Sequence, residues 1–202
     1  MKLTFDWNCI IEVEEGRAQA QYVIDLVDMH RQGHLEVALL AASASENSKS
    51  KRFPGNAELF TERLNGLGWQ DLPLVPMPAV PSLSYYDFCF YLDENDNFEE
   101  DMGRLWEAIA PNVPREPTDR LPIGAILTDE VIQSEELSRW RNTWCDVVSA
   151  YSHIYAARDI FVTNNTRDFQ SNWDKLSSLG MKHIATPKDT LAVIASIRSA
   201  KI

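Results

Sequence analysis

Residues 35–42 read Leu-Glu-Val-Ala-Leu-Leu-Ala-Ala, an apolar run of strand length interrupted only by Glu36. A strand with one wet face alternates apolar and polar residues. An unbroken run signals a strand buried on both faces, as in a parallel sheet covered by helices. Upstream, residues 14–31 place Ala18, Tyr22, Leu26 and Met29 at helical spacing, with Val23, Ile24 and Val27 widening the apolar face. Gly33 follows where glycine commonly ends a helix. Leu3-Thr4-Phe5 is a short strand-like opening that ends at Asp6. Strand, helix and strand at this spacing predict a right-handed βαβ unit.

Downstream, residues 46–55 are polar and basic, and Asn56 is placed to cap a helix running to Gly66 over Leu59, Phe60 and Leu64. Pro73, Pro76, Pro78 and Pro81 then keep the chain extended or irregular. The acidic run at 93–101 does not complete a calcium loop. Phe98 stands where that loop needs glycine, and Arg104 where it needs glutamate. It suits the solvated start of a helix over 99–109, ended by Pro111. Residues 128–156 read as one long helix or two abutting ones, 159–163 as a buried strand, 168–179 as a helix stopped by Gly180, and 183–185 as a last strand. Thr186-Pro187 opens a final helix. The expected fold is a single α/β domain over 1–202. It is a three-layer sandwich around a central, mainly parallel sheet, with a helical and irregular insertion at about 70–135.

The 202 residues are 45% hydrophobic and 24% charged, a balance that suits a globular core. No apolar run approaches the roughly 20 residues of a membrane helix, and the opening residues lack a signal-peptide pattern, so a cytoplasmic protein is expected. Cys9, Cys89 and Cys145 form no CxxC pair, which argues against zinc and thiol redox chemistry. The net charge of -11 argues against a broad electrostatic grip on nucleic acid. It leaves open a carboxylate site that meets a phosphate through a bound cation.

Open α/β sheets place their sites beyond the carboxyl ends of the strands. Asp6 follows the first strand. Ser43, Ser45 and Glu46 follow the second. Thr163, Asn164 and Asn165 follow the strand at 159–163, with Asp168 one helical turn on. Three strand ends that all supply oxygen-bearing side chains suit a hard cation such as Mg²⁺ or Mn²⁺. Asp146 lies in an otherwise apolar helical stretch, where a carboxylate must be solvated, paired or metal-bound. Plainer readings stand beside these. Asp6 suits a strand end or turn, Asp146 a helix cap or a partner of Arg141 or Arg158, Glu46 a loop, and Asn165 and Asp168 turn and helix-capping chemistry. Lys49, Lys51, Arg52, Arg139, Arg141, Arg158 and Arg167 either guide phosphate or are scattered solvated charges. His153 reads as a buried, hydrogen-bonded histidine, and Trp140 and Trp144 as an i, i+4 core pair.

Asp6-Trp7-Asn8 after a first strand, Asp146-Val-Val-Ser-Ala-Tyr before the run Asp-Ile-Phe-Val-Thr-Asn-Asn-Thr-Arg-Asp-Phe (159–169), and the closing Ile-Ala-Thr-Pro-Lys-Asp-Thr-Leu together resemble the PIN-domain ribonucleases. The resemblance covers roughly residues 1–66 and 140–200. It implies a metal-dependent endoribonuclease that hydrolyses RNA phosphodiester bonds with metal-activated water, of toxin–antitoxin or RNA-processing kind. Asp6, Glu46 and Asp146 would be the catalytic, metal-binding acids, and Asn8 and Thr163 supporting residues. Asn165 stands where many members carry a fourth acid, which should weaken metal affinity, and Asp168 would compensate as a further ligand. The implied cofactor is Mg²⁺ or Mn²⁺, the substrate single-stranded RNA, with room for a protein inhibitor or partner and for a homodimer, and with no membrane. Asn165 and the acidic charge also suit a catalytically impaired module of the same fold, acting in protein or RNA binding.

Overall fold

The computed structural model describes residues 1–45, 57–81, 83–84, 88–93, 97–121, 126, 128–132, 134–135 and 137–200. Its centre is a five-stranded sheet in the order β3-β2-β1-β6-β7, formed by β1 (Lys2–Phe5), β2 (Glu36–Leu40), β3 (Leu74–Val75), β6 (Ile160–Val162) and β7 (Ile184–Ala185). Every pairing in it is parallel. Leu3 stands between Val37 and Ile160, and Phe5 between Leu39 and Val162. A two-stranded parallel ribbon, β4 (Met77–Pro78) with β5 (Cys89–Phe90), lies outside it.

The period of two along each strand divides the core. Leu3, Phe5, Val37, Leu39, Ile160 and Val162 are fully buried towards α1 (Trp7–Glu14), α2 (Ala20–Arg31), α3 (Ala57–Leu67) and α8 (Thr190–Ser199). Ala38, Leu40 and Phe161 face the opposite layer, which holds α4 (Phe98–Ile109), α6 (Ser138–Tyr155) and α7 (Trp173–Ser178). The expected three-layer α/β arrangement is therefore present, with helices on both faces of a parallel sheet. Trp140 and Trp144 are buried in the second core, and Cys9 and Cys145 are buried without forming a disulfide. Among the described residues no helix is long and apolar enough to cross a membrane.

Several boundaries differ from the sequence reading. The helix expected at 14–31 begins only at Ala20, and a separate helix, α1, which was not expected, precedes it. Asp6 caps α1 immediately after β1. Gly16, at φ +59, then turns the chain, and the Glu12 carboxylate accepts the Gln19 N–H before α2 begins. Leu74–Val75, inside the stretch expected as an insertion, is an edge strand of the main sheet. Pro73 and Pro76 flank it, and proline is tolerated at edges. In the same stretch α4 buries Met102, Leu105 and Trp106 into the core that α6 shares, with the Trp106 and Trp140 rings 6.0 Å apart. The region 128–156 resolves into α5 (Asp129–Ile132) and α6, pinned together by the buried Arg141. Its guanidinium donates to the carbonyls of Ile132 and Ser134. The helix expected at 168–179 opens with turns and becomes α-helical only at α7.

Candidate functional site

β1 and β6 are neighbours in the sheet, but the chain leaves them in opposite directions, towards β2 and towards β7. Such a switch point opens a crevice beyond the carboxyl ends of the strands. Asp6 and Thr163 stand there, each directly after its strand. The Thr163 hydroxyl donates to Asp6 Oδ2 at 2.7 Å, and the Asn8 amide donates to the same oxygen at 2.8 Å. The Trp7 N–H donates to Asp6 Oδ1 at 2.8 Å. Asp6 is 1% exposed. Burial raises its pKa above the ordinary carboxylate value, and the three donors pull it part of the way back. Asp6 is thus a helix cap and a strand-end acid at once.

Asp146 reaches the same region from the middle of α6. It caps no helix, and Arg141 and Arg158 are engaged elsewhere. Arg158 donates to Glu36 and to the Leu3 carbonyl, at the opposite ends of the strands. Among the described residues no hydrogen bond or ion pair reaches Asp146. Its pKa is raised well above the usual range, first by burial, then by the charges of Asp6 and Asp168. Two carboxylates from other elements, Asp6 and Asp168, thus bear on Asp146. Asp168 accepts from the Arg167 guanidinium at 3.1 Å on the rim. Asn165 serves the local turn: its N–H donates to Thr163 Oγ1 at 2.9 Å, and its Oδ1 accepts the Asp168 N–H at 3.3 Å. Glu46, with Lys49, Lys51 and Arg52, lies outside the described residues.

Asp146 and Asp168 line a cleft of about 440 Å³. Arg139 and Arg167 supply its cations, Asn142 and Thr143 its neutral polar wall, and the turn after α4 its far side. Asn142 and Thr143 lie one helical turn before Asp146, a spacing that would have pointed to them in the sequence. Comparison with protein-family profiles, curated proteins and solved structures finds no match to this chain.

The donor chemistry fits a hard divalent cation, since carboxylate oxygens are its preferred ligands and Asp146 has no ion pair among the described residues. The spacing is more open than a finished cage. Among the described residues, no three His, Cys, Asp or Glu side chains stand close enough together to hold a metal ion. His153 is no candidate base. It is buried, hydrogen-bonds through Nδ1 to Thr4 Oγ1 at 2.9 Å, and has its pKa lowered to about 3, chiefly by burial.

One bracing residue carries no signal in the sequence. The Gln19 amide donates to Asn164 Oδ1 at 2.7 Å, and its carbonyl accepts the Lys188 N–H at 3.0 Å. It ties the α1–α2 turn to the loop after β6 and to the approach to α8.

Proposed function

We propose that this chain is a metal-dependent endoribonuclease of PIN type that cleaves single-stranded RNA. One observation carries the reading: Asp6 and Asp168 lie near enough to Asp146, at the switch point of the sheet, to raise its pKa, while among the described residues no cation pairs with Asp146. A bound Mg²⁺ or Mn²⁺ would ease deprotonation of water and offset charge on the phosphate. Asp146 and Asp168 would hold it from the cleft side and Asp6 from the strand end, with Thr163 and Asn8 fixing the Asp6 carboxylate. Arg139 and Arg167 would draw the phosphate to the acids and hold it for attack. Labelled single-stranded RNA, incubated with Mg²⁺ or Mn²⁺, tests this. Cleavage that disappears with Asp6→Asn and with Asp146→Asn is expected, and cleavage untouched by both substitutions excludes the mechanism.

A second reading, a catalytically impaired module that binds RNA or protein, is favoured by Asn165. Its side chain supports a turn and adds no negative charge. Calorimetry separates the two readings. Absence of Mn²⁺ uptake at millimolar concentration favours the module, and uptake lost in Asp146→Asn favours the enzyme.

A further inference from the structure

The acidic cleft does not end at its own wall. Pro111, which forms part of that wall, also borders a second cavity of about 480 Å³ in the seam between α4 and α7. Arg104 and Glu107 reach the second cavity from α4, and Lys175 and Ser178 from α7. Arg104 is half-exposed and only 4.0 Å from its nearest acid, Asp101, a loose surface pair. Lys175 is exposed and has no ion pair among the described residues. In a chain of net charge -11, two adjoining cavities thus carry four cations, Arg139, Arg167, Arg104 and Lys175, against three acids, Asp146, Asp168 and Glu107, along one path across Pro111.

From this juxtaposition we infer that the path is a backbone track for single-stranded RNA, leading away from the acidic centre across Pro111 into the α4–α7 seam. The inference deepens the ribonuclease reading and rests on it for the nature of the strand. Two cavities of these volumes in succession suit more than one nucleotide. Among the described residues, none that lines either cavity is aromatic. The track therefore holds phosphates without stacking bases, so binding is tolerant of sequence and sensitive to salt.

The test uses the full chain in EDTA, where metal-dependent cleavage cannot run, with fluorescein-labelled RNA dinucleotide and octanucleotide and anisotropy as readout. The double variant Arg104→Gln/Lys175→Gln changes exposed side chains outside the proposed catalytic set. It should leave the dinucleotide unaffected and weaken the octanucleotide. Loss of two phosphate contacts should flatten the plot of log affinity against log salt by about 1.4, at roughly 0.7 per contact for single strands. Octanucleotide binding that is unchanged by the double variant, or undetectable in the unsubstituted chain, overturns the track. Metal-dependent cleavage is scored separately. Cleavage with an unaffected octanucleotide removes the track and keeps the nuclease, whereas the expected length dependence without cleavage does the reverse.

Discussion

Asp146 sits partly buried on α6 with two other carboxylates acting on it and, among the described residues, no ion pair to a cation, so its charge costs the metal-free fold stability. A group whose pKa is raised on folding favours the folded state at low pH and loses that contribution as pH rises through the folded value. Asp146→Asn should therefore stabilise the metal-free protein at neutral pH while ending RNA cleavage. A gain of about 1 kcal/mol would lift the melting temperature by about 2–4 °C in a chain of this size. A lower melting temperature for Asp146→Asn would show that the carboxylate is already compensated. His153 has the opposite sign. Its folded pKa of about 3 lies below the ordinary 6.5, so the folded state binds fewer protons between those values. The stability is complete above pH 6.5 and declines as pH falls towards 3, by several kcal/mol at most, at ~1.4 per pKa unit. Urea melts at neutral and mildly acidic pH should show His153→Leu losing much less stability on acidification than the unsubstituted chain. Parallel losses would refute this. At this scale the sequence was readable wherever a polar residue directly follows a strand, as with Asp6 and Thr163, or interrupts an apolar helix, as with Asp146. Gln19 was not readable, because its partners Asn164 and Lys188 are brought to it only by folding.

Arg141 shows what holds one element to the next. Its buried guanidinium joins α5 to the first turn of α6 through the Ile132 and Ser134 carbonyls. Arg141→Ala leaves those carbonyls without their charged donor and should cost about 2–4 kcal/mol. Hydrogen exchange should show α5 losing protection while the sheet keeps it; equal loss in both would point to global rather than local opening. The central strands were legible as elements because burial on both faces writes itself as an apolar run, as at 35–42. Their junctions were less so. Ala18 continues the apolar rhythm of Tyr22, Leu26 and Met29 towards residue 14, and periodicity alone does not register that Gly16 takes a positive φ and ends it. β3 is not legible, because two residues between prolines are too short to show alternation. α4 was legible as a helix but not as part of the core, since its partner α6 lies far along the chain.

For the whole molecule, the acidic charge and the carboxylates near the switch point would make stability depend on the proposed cation. A divalent cation that binds only the folded state adds about 2.7 kcal/mol at one hundred times its dissociation constant. Mn²⁺ should raise the melting temperature of the unsubstituted chain and leave Asp146→Asn unmoved. An equal rise in both would assign the ion to another place. The sheet order needed long-range pairing to appear, which local patterns do not encode. The layering did not need it, because strand periodicity already divides inner residues between two faces.

The double role of Asp6 bears on how such a protein would decay. That carboxylate fixes the start of α1 and ties it to Thr163, so its loss disturbs the scaffold as well as the chemistry. Asp146 makes no hydrogen bond or ion pair among the described residues. In a lineage released from the need for activity, drift should erase Asp146 early and spare Asp6 for as long as the domain folds.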